Sequence, residues 1–193
     1  SALACIAIQS NQNDQHGGQS IPNFDYAMAD GVRKSYKQLY MKNIVRAIML
    51  ETSNDNDLAV EENVKAYMKK IKEETGLVPV LANDNGFAEL EHKELVNITG
   101  SEKIADTVQN FTLKLTKKET NRATYQAMEA LVHNLNTMNS RAGAQIPFSS
   151  INYGTDTSPE GQMVIENVLL ATEKGLGNGE TPIFPIHIFK VKD

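Results

Sequence analysis

Apolar side chains recur at helical spacing through the first part of the chain. Residues 1–13 begin small and apolar and become polar. This change is typical of the last turns of a buried helix, and a polar loop is predicted over 9–20. Asp30 is an N-cap candidate for an amphipathic helix over 32–48, in which basic residues separate the apolar ones. A second helix is predicted over 60–71, and Gly76 lies where a C′ glycine would end it.

The middle of the chain has a weaker pattern. Residues 77–81 are typical of a short strand, and the remainder up to 115 is typical of irregular structure with short helices. Thr116 and Glu119 then form a capping-box signature, which predicts that a third helix begins there. The apolar face of this helix continues to about residue 139 through Met128, Leu131, Leu135 and Met138.

The last third of the chain alternates strand and helix. Residues 144–153 are rich in β-forming residues, although Pro147 is easiest to place at a sheet edge or an irregularity. A helix over 157–175 follows, with Thr157 or Ser158 as its cap, Pro159 in its first turn and Gly175 as its terminator. Residues 183–189 are apolar on both faces, which is typical of a covered, usually parallel, sheet. This order of elements predicts an α/β fold.

Length and charge limit the classes of protein. The 193 residues, 40% of them hydrophobic, suit a single domain with an ordinary core. A net charge of −5 argues against a nucleic-acid partner, because binding a phosphate backbone needs clustered Lys and Arg. No apolar run reaches the roughly 18 residues that cross a bilayer, and the opening residues lack the basic region of a signal peptide. We therefore expect a cytoplasmic protein without a membrane partner.

Cysteine and histidine limit the chemistry. Cys5 is the one cysteine of the sequence, so neither an intrachain disulfide nor a CxxC zinc or redox site can form. His92, His133 and His187 are far apart in the sequence, and we expect no metal site. The sequence also begins inside an apolar stretch and stops just after a strand-like one, which indicates an internal piece of a longer protein.

Three stretches of the sequence carry a resemblance to a known family. Residues 4–20 read ACIAIQSNQNDQHGGQS, and residues 114–138 read KLTKKETNRATYQAMEALVHNLNTM. Residues 134–193 contain NTMNSRAGAQIPF, NYGTDTSPE and GLGNGETPIFP, which are the most specific motifs. In this order the three stretches resemble anaerobic, glycyl-radical (class III) ribonucleoside-triphosphate reductases. The similarity is strongest in the first and last stretches and weaker over much of the rest.

The resemblance implies a helix-rich, partial segment of a ten-stranded α/β barrel, whose central finger loop carries a cysteine that becomes a thiyl radical. It implies a homodimeric, oxygen-sensitive enzyme that reduces ribonucleoside triphosphates to deoxyribonucleoside triphosphates under allosteric control by ATP and deoxynucleotides. In such enzymes a C-terminal glycine stores the radical, a radical S-adenosylmethionine enzyme installs it, formate is the reductant, and zinc binds near the C terminus.

Under this resemblance residues 1–193 are a single fragment of the barrel domain. The catalytic cysteine pair, the glycyl-radical loop and the zinc cysteines fall outside it, so we assign the chain no catalytic residue and no cofactor of its own, and expect it to be inactive alone. Cys5 matches a position in an apolar helix and is expected to be an inert core thiol.

Five residues are candidates for walls of a substrate chamber. Gly17 and Gly18 would let the backbone approach a ribose or base closely, or they make a tight turn into a strand. Ser149, Ser150 and Asn152 interrupt an otherwise apolar strand. Either a polar substrate or other groups of the protein would satisfy their hydrogen-bonding atoms.

Three further features have two interpretations each. Arg141 is a candidate for an anion contact, with an ordinary solvated arginine as the alternative. The glycine-rich segment 175–179 resembles a phosphate-binding loop, but it lacks the Lys-Ser/Thr of a Walker motif and follows a helix, so we favour a connector. Met128, Leu131 and Leu135 are either core residues or part of the dimer and effector surface that the resemblance implies.

Two other functions remain open. A pyruvate formate-lyase-like enzyme would share the barrel and the radical glycine, although residues 134–193 resemble the nucleotide reductases more specifically. A non-catalytic nucleotide-binding or dimerisation module would use the helices alone.

Overall fold

The structure is a computed structural model that describes residues 2–14, 17–53, 56–138, 146–177 and 179–191. Its elements, in chain order, are α1 (Ala2–Asp14), β1 (Gln19–Ile21), α2 (Phe24–Thr52), α3 (Asp57–Thr75), α4 (Phe87–Thr99), α5 (Glu102–Thr137), β2 (Ser149–Tyr153), α6 (Pro159–Lys174) and β3 (Ile186–Phe189). The chain forms two compact units, Ser1–Val32 with Asn121–Asp193, and Arg33–Thr120.

The first unit contains a parallel sheet with the strand order β1-β2-β3. Ile151 in the central strand β2 pairs with Ile21 on one side and with His187 on the other. Parallel neighbours need a crossover connection, and α6 supplies it between β2 and β3. The predicted α/β character is therefore confirmed in its coarse form, as a helix-rich chain with a small parallel sheet.

The two faces of this sheet differ in burial. Along β2, Ser149, Ile151 and Tyr153 are buried, whereas Ser150 and Asn152 are half-buried. This alternation follows from the two-residue period of a strand. Thr172 of α6 is hydrogen-bonded on this buried face to His187, the pairing partner of Ile151.

The prediction that 183–189 is covered on both faces is wrong for the part of the chain that the structure describes. The strand is Ile186–Phe189, and the side chains of Ile186 and Ile188 are each 43% exposed. Both share the open face with Ser150 and Asn152, because Ser150 pairs with Ile186 and Asn152 with Ile188. Phe189 is 60% exposed, since β3 lies at the edge of the sheet.

Two predicted helices, α3 and α6, are confirmed; their caps Gly76 and Ser158 were predicted, whereas the N-cap Asn56 was not. The Asn56 side chain accepts the N–H of Ala59 at 3.2 Å before α3, and Gly76 ends that helix at φ 75°. The Ser158 hydroxyl accepts the N–H of Gly161 at 3.1 Å before α6. The side chains of α3 predicted to face the core are buried: Val60, Val64, Tyr67 and Ile71.

Other predicted boundaries are wrong. Helix α1 continues to Asp14 through the first half of the predicted loop, and α2 begins at Phe24, before Asp30. Residues 77–81 form no strand, and β2 begins only after Pro147. Helix α5 already begins at Glu102, and residues 139–145 lie outside the described residues.

The capping-box prediction failed because Thr116 is used differently. Its side chain is fully buried in the middle of α5, and its hydroxyl accepts the Asn43 amide N–H at 3.2 Å. The same amide donates to Glu119 at 2.9 Å. Both residues of the capping signature therefore hold α2 against α5 within the second unit.

Glu91 is the polar centre of the second unit. Its buried carboxylate accepts hydrogen bonds from the Tyr40 hydroxyl at 2.5 Å, the Tyr67 hydroxyl at 3.1 Å and the Gln109 amide at 3.0 Å. Burial raises the pKa of Glu91 above its ordinary value, although these three donors favour the ionised form. One carboxylate thus ties α2, α3 and α5 to α4.

Candidate functional site

The open face of the sheet brings together two residues that the sequence singled out, Ser150 and Asn152, with one that it did not, Ser20. The Ser20 hydroxyl donates to the Asn152 side-chain oxygen at 3.5 Å, across the β1–β2 pair. Ile186 and Ile188 continue the same face on β3. This surface combines neutral hydrogen-bonding groups with aliphatic side chains, which is the composition of sites for small polar ligands.

Ser149 does not belong to that surface. It lies on the opposite face of β2, where it is 1% exposed, and its hydroxyl has no hydrogen-bond partner among the described residues. A direct contact between Ser149 and a ligand on the open face is therefore excluded by the two-residue period of the strand.

Gly17 and Gly18 lie before β1, at the amino end of the sheet. Gly17 has φ 130°, a conformation that side-chain-bearing residues rarely adopt. A Cβ at Gly18 would come within 3.0 Å of the Phe148 ring, and the next N–H, of Gln19, donates to the Phe148 carbonyl at 2.9 Å. Both glycines are explained by the turn into β1, and their contact with a nucleotide stays a prediction.

At the carboxyl end of the sheet, Asp25 in the first turn of α2 joins β1 to β2. Its buried carboxylate oxygen accepts three successive backbone N–H groups, from Gly154 at 2.8 Å, Thr155 at 3.0 Å and Asp156 at 2.9 Å. Burial alone would raise the pKa of Asp25, but the donating N–H groups, with that of Tyr26, hold this pKa below its ordinary value.

A hydrogen-bonded chain lies behind the open face. The Thr172 hydroxyl donates to the Val168 carbonyl at 2.7 Å, so it accepts from Nε2 of His187 at 3.1 Å. Nδ1 of His187 is then the acceptor for the Tyr153 hydroxyl, also at 3.1 Å. Burial lowers the pKa of His187, in keeping with this neutral tautomer. The chain fixes α6 to both β2 and β3.

The remaining candidates lie elsewhere. Arg141 is outside the described residues. Met128, Leu131 and Leu135 are 3%, 0% and 1% exposed, which the core interpretation explains; a dimer or effector role for them stays a prediction that this burial does not support. After α6, the Leu176 N–H donates to the Glu180 carbonyl at 3.1 Å, which agrees with a connector.

Reactive and metal-binding groups are sparse. Cys5 is 4% exposed, and burial raises the pKa of its thiol even though a hydrogen bond with Asn134 lowers it. Across the described ranges, no three His, Cys, Asp or Glu side chains form a group that could hold a metal ion. Within the same ranges, none of the helices has the length and apolar character needed to span a membrane.

Sequence reasoning missed three residues that build this region, Ser20, Asp25 and His187. Asp25 was hidden by the misplaced start of α2: an acid in the first turn after β1 would have been the signal. Ser20 and His187 could be found only from the pairing partners of β2, which the sequence does not reveal.

Known proteins similar to this chain are anaerobic reductases. A family model of the anaerobic ribonucleoside-triphosphate reductases matches residues 1–193. The anaerobic ribonucleoside-triphosphate reductase of Enterobacteria phage T4 is 35% identical over 82 residues, which are 42% of this chain and 13% of the phage protein. The match thus spans a small part of that relative. The chain belongs to the anaerobic ribonucleoside-triphosphate reductase family.

Proposed function

We propose that this chain is part of the catalytic subunit of an enzyme that reduces ribonucleoside triphosphates to deoxyribonucleoside triphosphates. Membership of the family supports the reaction. The open face of the sheet supports the role of the chain within it: Ser20 and Asn152 form a polar pair beside Ile186 and Ile188. On this proposal that face is one wall of the substrate chamber.

The wall is suited to the neutral part of a nucleotide. Hydroxyl and amide groups exchange hydrogen bonds with ribose hydroxyls, and aliphatic side chains pack against a sugar or base. A triphosphate also needs cations, and neither Ser150 nor Asn152 supplies one. Arg141, which follows α5 in the sequence, is our candidate for that contact.

The radical chemistry is assigned to other parts of the enzyme. Cys5 is buried in α1, and on this proposal it is a core thiol. On the family pattern, a finger-loop cysteine would abstract hydrogen from the ribose, a C-terminal glycine would store the radical, and formate would supply electrons. On the same family pattern, zinc would bind near the C terminus of the full-length enzyme.

The same proposal includes the assembly. The sheet would be a segment of a ten-stranded barrel, in a cytoplasmic homodimer that binds ATP and deoxynucleotide effectors and is activated by a radical S-adenosylmethionine enzyme. The 193 residues alone would be inactive.

The test is an anaerobic reductase assay. The full-length gene product that contains this chain is activated without oxygen and supplied with each ribonucleoside triphosphate and formate. We expect deoxyribonucleoside triphosphate to form, and the isolated 193-residue chain to form none. Absence of product from the activated full-length protein, with each of the four substrates, would contradict the proposal.

A further inference from the structure

The contact of Asp25 with the loop after β2 has the form of an anion site with its own occupant. Three consecutive N–H groups that converge on one point make a backbone nest, a concavity that binds anions. Here Gly154, Thr155 and Asp156 donate to the same oxygen of Asp25 within 3.0 Å. The carboxylate occupies the position that a free oxyanion takes in other nests.

The chain around the nest is built for this close approach. Gly154 has φ 108°, and a Cβ there would overlap the carbonyl oxygen of Lys190. The N–H of Lys190 donates to the Tyr153 carbonyl at 2.8 Å, which extends the β2–β3 pairing up to the nest. The loop is thus held by β3 on one side and by Asp25 on the other.

The position of Asp25 links the nest to the open face. Asp25 follows β1 by four residues, and Gly154 follows β2 directly. The contact of Asp25 with the nest therefore joins the carboxyl ends of β1, which carries Ser20, and β2, which carries Asn152. We propose that Asp25 is a positioning residue: its carboxylate is an internal oxyanion that fills the 154–156 nest and fixes the alignment of the Ser20–Asn152 pair. That this alignment affects substrate binding rests on the proposed function.

Chemical rescue tests the nest itself. Asp25→Ala removes a carboxylate and leaves a space that matches formate, whereas Asp25→Gly leaves one that matches acetate. We expect each variant to melt at a lower temperature than the wild type, and its own matched anion to restore about half of that loss, by binding the folded state. Sodium chloride of equal ionic strength is the reference. Asp57→Ala is the matched control, because Asp57 is an exposed acid in the first turn of α3.

The nest is rejected if the matched anions raise the melting temperature of the Asp25 variants no more than that of Asp57→Ala. A second measurement does not depend on those truncations. In Asp25→Asn, which keeps the size of the side chain, the amide proton resonances of Gly154, Thr155 and Asp156 should move upfield together. Unchanged resonances in this variant would equally overturn the proposal.

Calorimetric titration with a ribonucleoside triphosphate separates the two claims. In the full-length protein we expect Asp25→Asn to weaken binding by about tenfold, since one hydrogen-bonding alignment is lost, and Asp57→Ala to leave it unchanged. If the wild type binds and Asp25→Asn binds equally well, the positioning role is wrong. If the wild type does not bind the ribonucleoside triphosphate but the matched anions restore the stability of the Asp25 variants, the proposed function is wrong and the role of Asp25 in the nest stands.

Discussion

The side chain of Asn136 in α5 pairs with the backbone of Phe184 as a neighbouring strand would. Its amide donates to the Phe184 carbonyl at 2.5 Å, and its oxygen accepts the Phe184 N–H at 3.0 Å. The same oxygen accepts the Ile183 N–H at 2.8 Å. The buried side-chain amide of Asn136 therefore fixes the position of Ile183 and Phe184, which precede β3, against α5.

Asn136→Ala should lower the free energy of unfolding by about 2–3 kcal/mol, because it leaves the buried N–H and carbonyl of Phe184 and the partly buried N–H of Ile183 unpaired. Asn136→Asp should also destabilise, since a carboxylate accepts but cannot donate to the Phe184 carbonyl. Urea denaturation followed by circular dichroism measures both. Asn97→Ala, an exposed amide of α4, is the control and should change the free energy by less than about 0.5 kcal/mol.

Gly154 and Gly177 form a matched pair, because both have φ 108°. Alanine at Gly177 meets open space and should cost about 1–2 kcal/mol of backbone strain. Alanine at Gly154 must in addition displace Lys190, so its cost should be larger by about 1–3 kcal/mol or prevent folding. Equal unfolding free energies for the two variants would show that the close approach to Lys190 contributes nothing.

His187 should make stability depend on pH. Burial lowers its pKa below the ordinary value of 6.5, so the unfolded chain binds a proton more readily than the folded one. The unfolding free energy is therefore expected to fall as the pH is lowered through 6.5 towards the folded-state pKa. Denaturation curves recorded between about pH 7.5 and pH 5.5 measure this change in the unfolding free energy. His187→Gln should lose this part of the slope, whereas His133→Gln, at an exposed site on α5, should keep it.

Glu91 is expected to make the unfolding free energy depend on pH in the opposite direction. Its pKa is raised, mainly by burial, so the folded state holds the proton more tightly, and stability falls as the pH rises from the ordinary value of 4.5 through the higher folded-state pKa. Glu91→Ala should nonetheless destabilise by about 3 kcal/mol, because Tyr40 and Tyr67 lose a buried acceptor. Glu94→Gln, which breaks only the surface pair with Lys70, should cost less than about 1 kcal/mol. A Glu91→Ala variant as stable as Glu94→Gln would contradict this account.

Local signals predicted the elements that depend on local chemistry. Ser158, Pro159 and Gly175 mark the ends of α6, and Gly76 marks the C-terminal end of α3, because caps act within one turn. The same signals fail where a side chain serves a distant partner. Thr116 looks like a cap, but its hydroxyl meets Asn43, which is 73 residues away.

The candidate site was predictable only in part for a related reason. The polar residues of β2 stand out in an apolar strand, and Ser149 and Ser150 must face opposite sides of it, but the sequence does not show which of the two lies on the open face. Asp25 and Gly154 are 129 residues apart. A contact of that separation leaves no periodic pattern in the sequence, so the nest appears only in the fold.

Steady-state kinetics of Asn152→Ala in the full-length reductase tests whether the open sheet face is a wall of the substrate chamber. If it is, kcat/KM for the ribonucleoside triphosphate falls at least about tenfold, through loss of a hydrogen bond to substrate, while the melting temperature stays close to that of the wild type. Asn97→Ala should leave both quantities unchanged. A folded Asn152→Ala enzyme with wild-type kcat/KM would show that the open face does not contact the substrate.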